Sequence, residues 1–222
     1  YANTTGCYNL GIGYYALYGN STGCDNIAFG NMALGGNTTG SCNVGIGKSA
    51  AGSTSYGYCN VAVGALSLNS NTAGTHNTAI GAVTMYANTG SSNTGIGSYA
   101  GCNNSDGGCN MFAGYQAGQY LANGMSSLTS PDCSTYIGSC TRGKATTDLN
   151  TTVIGHLACG CGNHTVSIGN GSVSATYIAG DIYAGGNTIS QTSINAQTGT
   201  TYTLVLTDQS KLVTLNNGSA IT

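Results

Sequence analysis

The chain has 222 residues, room for one or two ordinary domains, but 37 are glycine, one is proline and none is tryptophan. Four cationic and six acidic side chains give a formal net charge of -2, so no basic stripe exists to neutralise phosphates, and nucleic-acid binding is set aside. No run of about 18 apolar residues occurs, which excludes a transmembrane helix and membrane insertion through one.

The low charge and the abundance of Gly, Asn, Ser and Thr would suit a disordered segment, but a strict period argues otherwise. Gly13, Gly30, Gly47, Gly64 and Gly81 recur at every seventeenth position, and Gly97 and Gly114 continue the series with a single step shortened by one. A fixed period this short predicts a repeat architecture. The chain opens at Tyr1 inside a repeat, without Met or signal peptide, and reads as a fragment of something longer.

Aligned on these glycines, the repeats form columns. One residue before the glycine come Ile12, Phe29, Ile46, Val63, Ile80 and Ile96; three before it come Leu10, Ile27, Val44, Val61, Thr78 and Thr94. The intervening position is small: Gly11, Ala28, Gly45, Ala62, Ala79 and Gly95, then Phe112 as the exception. Large-small-large has a period of two, the signature of a strand. The expectation is that the large residues point into a core and that the small column faces a neighbouring chain.

Three residues after each glycine lies a second small column, Ala16, Ala33, Ala50, Ser67, Thr84, Ala100 and Ala117, read as a second strand or the corner into it. Asn20, Asn37, Asn71, Asn88 and Asn104 then lead into Thr/Ser-Gly turns, where Asn and Gly tolerate left-handed backbone. A helical alternative fails, because each helical glycine costs about 1 kcal/mol and every repeat holds several. The prediction is an all-β fold, a parallel β-solenoid of about 17-residue coils stacked at about 4.8 Å. A single coil encloses little core, and the outward small column invites another chain, so a parallel homotrimer is expected.

Regular coils are expected over 1–118, and irregular, tapering coils over 119–180, where the next glycine in phase, Gly138, arrives well after one period and an inserted loop falls at Met125 to Asp132. Shorter coils follow at Gly155 and Gly169, and Tyr177-Ile178-Ala179-Gly180 closes the series. Residues 181–222 read as a polar connector and the start of a C-terminal β module, with a hairpin signature in Tyr202–Thr207 and Leu212–Leu215.

Asn77-Thr78-Ala79-Ile80-Gly81, with Ala16-Leu17 and Asn37-Thr38-Thr39-Gly40 of sister repeats, resembles the NTAIGxxAL…NTTG repeats of phage and giant-virus fibre proteins. These are in turn similar to the left-handed β-roll heads of trimeric autotransporter adhesins, whose repeat is shorter. Val166 to Gly180 resembles the coil that follows such repeats in tail fibres, and Thr201 to Asn217 the start of a terminal module; no self-cleaving chaperone domain is matched. The resemblance implies a left-handed coil and a trimeric virion or cell-surface fibre, extracellular and engaged in host attachment. A bacterial surface adhesin or self-assembling filament is the alternative. An ice-binding solenoid would require flat Thr-x-Thr ranks, whereas the Thr pairs here sit in turns.

The chain departs from such fibres in its ten cysteines. Cys7 and Cys24 each precede their glycine by six residues, and Cys42, Cys59 and Cys109 by five. Equivalent positions on adjacent coils fall within disulfide reach, so Cys7–Cys24 and Cys42–Cys59 are candidate bridges. Cys102 with Cys109 and Cys133 with Cys140 are candidates in the irregular part, and Cys159 and Cys161, too close for mutual pairing, are candidates for interchain bonds. The alternative is buried free thiols.

No catalytic, cofactor or metal site is expected: the cysteines follow the coil period rather than a compact C-x-x-C pair, and His76, His156 and His164 are scattered. Glycosidase chemistry needs paired carboxylates, and the aspartates are far apart in sequence. Among fifteen tyrosines, Tyr14, Tyr15, Tyr18, Tyr56, Tyr58, Tyr86, Tyr99 and Tyr115 fall in the repeats, as inter-chain packing or as a surface for a host receptor or glycan. Asn3, Asn20, Asn37, Asn150 and Asn163 head glycosylation sequons, which also arise whenever a turn reads Asn-Thr-Thr.

Overall fold

The computed structural model describes residues 2–173 and the backbone of two further strands, Ile182–Ala184 and Asn187–Ile189. The chain divides into one unit over Tyr1–Ser174 and a second over Ala175–Thr222. In chain order the first unit holds β1 (Leu10–Ile12), β2 (Ile27–Phe29), β3 (Val44–Ile46), β4 (Val61–Val63), β5 (Thr78–Ile80), β6 (Thr94–Ile96), β7 (Met111–Ala113), β8 (Tyr120–Leu121), β9 (Thr135–Ile137), β10 (Arg142–Gly143), β11 (Thr152–Ile154) and β12 (Val166–Ile168). All but β8 and β10 join one ten-stranded sheet, in the order of the chain. Every neighbouring pair in it is parallel and in register, with Ile12 beside Phe29, Phe29 beside Ile46 and Ile46 beside Val63. This is a parallel β-solenoid, and the described residues contain no helix.

In the second unit the two strands pair antiparallel, Ile182 with Ile189. The closing coil at Tyr177–Gly180 and the hairpin signature at Tyr202–Leu215 lie outside the described residues.

The glycines that mark the period end each strand at a φ between 123° and 138° from Gly13 to Gly155. That backbone region is open essentially to glycine alone. A second constraint is stacking: a Cβ on Gly47 would lie 2.7 Å from the carbonyl carbon of Gly64, one coil away. The column is fixed by conformation and by contact at once.

The orientation of the strands is the reverse of the sequence expectation. From the second coil on the small central residues are buried, with Ala28, Ala62 and Ala79 fully enclosed, while Ile12, Phe29, Ile46, Ile80 and Ile96 are exposed and Val63 is half-buried. Val44 and Ile46 point out of the coil, and Gly45 points in. The reason is volume. The interior already receives the small column three residues past each glycine and, one residue on, Leu17, Leu34, Leu68 and Met85. At Gly45 a Cβ would come within 3.1 Å of Leu34 Cγ. A coil this short has no room for two such layers of large side chains.

In the regular coils the segment after each glycine is a turn, and a second strand forms there only in the irregular coils, as β8 and β10. The turn still bonds coil to coil because its backbone alternates in hand. Met32 (φ 57°) and Leu34 (φ 48°) are both left-handed. Met32 N–H donates back to Tyr14 O at 2.8 Å, and Leu34 N–H donates forward to Ala50 O at 3.0 Å. Left-handed backbone costs a residue with a Cβ roughly 1–2 kcal/mol, and the paired amide groups offset it.

A buried asparagine ladder holds the opposite corner. Asn43 N–H donates to Asn26 Oδ1 and Asn60 N–H to Asn43 Oδ1, both at 3.0 Å, and Asn43 Nδ2 donates to Gly57 O at 2.8 Å. The chain of bonds continues through Asn77, Asn93 and Asn110 to Ser134 and Thr151. Asn20 and Asn37 form a parallel column, with Asn37 Nδ2 bonded to Asn20 Oδ1 at 2.7 Å. Their burial removes these two sequons as acceptors, whereas Asn3, Asn150 and Asn163 are exposed.

The insertion between β7 and β9 supplies core rather than a free loop. Leu121 N–H bonds Ser126 O at 2.8 Å, closing a turn, and the following Leu128 is fully buried against Gly143. β8 and β10 pair beside it as a short parallel sheet.

Candidate functional site

Because the large residues face outward, the ten-stranded sheet presents two continuous columns to solvent. One runs Ile12, Phe29, Ile46, Val63, Ile80 and Ile96, then through Ala113 to Ile137, Ile154 and Ile168. The other runs from Leu10 through Val44 and Thr78 to Val166. Exposure reaches 56 % at Ile168 in the first and 68 % at Val166 in the second. Nine steps of about 4.8 Å make the strip about 43 Å long, with its columns about 7 Å apart. No strand of this sheet carries a charged residue. Contiguous apolar patches of this extent mark interaction surfaces. Side-chain period alone revealed the columns; their outward face required knowing what fills the coil.

The cysteines occupy the edge that leads into these strands. Cys7 Sγ and Cys24 Sγ lie 2.9 Å apart, and Cys7 N–H points at the Cys24 sulfur at 3.2 Å. The hydrogen bond in which the Cys7 thiol is held against Cys24, and then desolvation, keep that thiol above the usual cysteine range. Cys42 and Cys59 stack in one column, with Cys59 N–H on Ser41 O at 3.1 Å. Partial desolvation, followed by the neighbouring Cys59 and Asp25 charges, raises the Cys42 thiol as well. All ten cysteines stand as free thiols.

In the irregular coils the structure groups the cysteines differently from the sequence expectation. Cys102 is buried and accepts a hydrogen bond from Gln119 Nε2 at 2.9 Å, and burial pushes its thiol up. Cys140 Sγ turns toward Gln116 Oε1 at 3.6 Å. Cys133 N–H donates to Gly108 O at 2.9 Å, which stacks Cys133 on Cys109. The insertion had hidden this match: both residues precede their glycine by five, but the extra loop between them breaks the period. Cys159 Sγ faces Leu157 O at 3.7 Å, and Cys161 is exposed.

The repeat tyrosines lie on the turns, outside the strand columns. Tyr14, Tyr15 and Tyr18 meet edge to face at centroid distances of 4.1 and 4.6 Å. Tyr15 and Tyr18 wall a cleft of about 360 Å³ over Met32, Gly35, Gly36 and Gly52. Tyr58 packs against His76 at 5.4 Å, and His164 Nδ1 meets Asn150 Nδ2 at 3.3 Å, so both rings serve turns. Asp148 is buried, accepting from Tyr136 Oη at 3.0 Å and from the Lys144 and Ala145 amides. Among the described residues no three His, Cys, Asp or Glu side chains converge as metal ligands do. Comparisons with protein-family models, curated proteins and solved structures return no match to this chain.

Proposed function

We propose that the chain is a segment of a trimeric fibre shaft, of the virion-fibre kind its repeats resemble, which carries an attachment function outside the cell. The uncharged apolar ladder on the ten-stranded sheet carries this reading. One column of Ile, Val and Phe broken only by Ala113, beside a second that mixes Leu, Ile, Val and Met with four Thr, would cost hydrophobic free energy at most rungs if left in water, and a parallel partner with the same rise matches them rung for rung. The resemblance to trimeric fibres supports three chains. The reason for association is the reverse of the sequence argument: large residues, not small ones, face the partner.

Light scattering of the purified chain is expected to give three times the chain mass, and unheated gels a band resistant to SDS. The double substitution Ile46→Asp and Ile80→Asp should yield monomer, since each charge would be buried unpaired in the contact. A monomer for the unsubstituted chain at micromolar concentration would defeat the proposal. Growth to unlimited length would favour the filament alternative.

The exposed tyrosines suit contact with a receptor or glycan, as the rings of Tyr15 and Tyr18 offer faces on which a sugar can stack. One observation favours a different class. Thr78 with Ile80, Thr94 with Ile96, Thr135 with Ile137 and Thr152 with Ile154 form outward ranks on a regular sheet, the kind of array an ice-binding face uses. Leu10, Phe29 and Met111 interrupt the ranks, which weighs toward protein contact. Thermal hysteresis in solution would reverse that weighting.

A further inference from the structure

Four of the cysteines on this edge share a backbone geometry that the sequence alone hides. The residue five before each glycine is left-handed, with φ of 57° at Cys42, 56° at Cys59, 57° at Cys109 and 50° at Cys133. In each later member of a pair the N–H bonds the carbonyl just before the earlier one: Cys59 to Ser41 O at 3.1 Å, Cys133 to Gly108 O at 2.9 Å. The strands two residues further on are in register, Val44 with Val61 and Met111 with Thr135. The two pairs are therefore superposable, although one spans a regular period and the other spans the insertion. One coil step of about 4.8 Å lies inside the Cα separation a disulfide spans, about 4.4–6.8 Å. Cys7 and Cys24 stand one residue earlier on their coils, with their sulfurs 2.9 Å apart.

We propose that this edge is a site of oxidation that forms three rung-to-rung disulfides, Cys7–Cys24, Cys42–Cys59 and Cys109–Cys133. Five of these thiols are exposed and Cys24 is half-buried, so a small oxidant reaches each pair. With a low-molecular-weight disulfide such as oxidised glutathione, one thiolate attacks a glutathione sulfur and releases one glutathione. The neighbouring thiolate then attacks the mixed disulfide and releases the second. Each bridge costs two protons and two electrons, which reduce one oxidised glutathione to two glutathiones. Cys102 takes no part, being enclosed and bonded to Gln119, and Cys140 faces Gln116 rather than Cys133. The third bridge fastens the coil before the insertion to the coil after it, where the solenoid departs from its period.

The test is a disulfide map. The reduced full chain is treated with oxidised glutathione at neutral pH, alkylated, and digested with chymotrypsin without reduction. Three linked peptide pairs are expected, with Cys102 labelled only after denaturation. Cys24→Ser should free Cys7 to alkylation and leave the other two bridges intact, a result that a general loss of fold would not produce. Dominant Cys24–Cys42, Cys102–Cys109 or Cys133–Cys140 links would overturn the assignment. So would glutathione retained on all six thiols, or bridges between chains on a non-reducing gel. The map reads pairing within one chain, so it stands or falls independently of the trimer.

Discussion

The coils up to β6 and the coils around β7 and β9 fill the same interior with opposite halves of the backbone. In the first group the strand centre is Gly or Ala, and the large side chains come from the turns, as Leu17, Leu34, Leu68 and Met85, with Ala51 and Gly101 the exceptions. In the second the strand centre is Phe112 or Tyr136, and the turn positions that face Phe112 are glycine, Gly101 of the preceding coil and Gly118 of its own. A Cβ on Gly101 would lie 2.5 Å from Phe112 Cδ2, and one on Gly118 would collide with the same ring. Phe112 and Tyr136 stack at 5.6 Å, only 9° from parallel. The lesson is that cross-section, rather than side-chain identity at any one position, is what the stack conserves.

The largest expected effect tests what the two regions share. Gly47→Val and Gly138→Val should each destabilise by at least about 3 kcal/mol in urea unfolding, because both glycines have φ of 127° and face the next coil's backbone at 2.7 Å. A marked difference between them would show that the regions do not share one stacking constraint.

Next comes the exchange of volume. Phe112→Ala should cost about 3–5 kcal/mol, and Gly101→Ala alone should also destabilise by overpacking. Combined, they should cost less than the sum, with a coupling on the order of 1 kcal/mol in a double-mutant cycle. Additive effects would contradict the exchange.

Tyr136→Phe probes the irregular region alone, with an expected loss of about 1–2 kcal/mol at neutral pH from the broken bond to Asp148. Burial, then the Asp148 charge, raises the Tyr136 pKa far above its ordinary value. The folded chain thus holds a proton that the unfolded chain releases above about pH 10. The stability this gives is complete below that pH and falls as pH rises beyond it. Alkaline unfolding followed by circular dichroism should therefore show a shallower decline above about pH 10 in the Phe variant.

The smallest effect belongs to the regular turns. Val83 is left-handed at φ 59°, a poor conformation for a β-branched residue. Val83→Gly should stabilise by up to about 1 kcal/mol in thermal unfolding, since the relieved strain exceeds the added chain entropy.

The period, the strand positions and the solenoid were legible because glycine stacking leaves a spacing that sequence displays directly. Leu10-Gly11-Ile12 through Thr94-Gly95-Ile96 each became a strand where the pattern put it. The facing of those strands was not legible, because period two is symmetric between inside and outside. Only the presence of Leu34 or Met85 in the same interior decides it. The left-handed turns escaped for a related reason. Asn and Gly announce such backbone, but Leu34, Val83 and Met85 do not, and their cost is met by amide bonds to another coil. The asparagines were visible as corner residues, yet their linkage through Oδ1 to the next backbone amide depends on register. At the candidate surfaces, Cys7 with Cys24 followed from spacing, while Cys109 with Cys133 was obscured by the insertion that separates them.

The ladder of like on like has a consequence for how such a chain can change. Asn43 takes from Asn60 what Asn26 takes from Asn43, and Gly47 meets Gly64 as Gly30 meets Gly47. Removing one complete repeat unit, such as 48–64, would rejoin surfaces already made to meet. Length in this architecture is a count of interchangeable parts, open to duplication or loss in whole units while the cross-section stays the same.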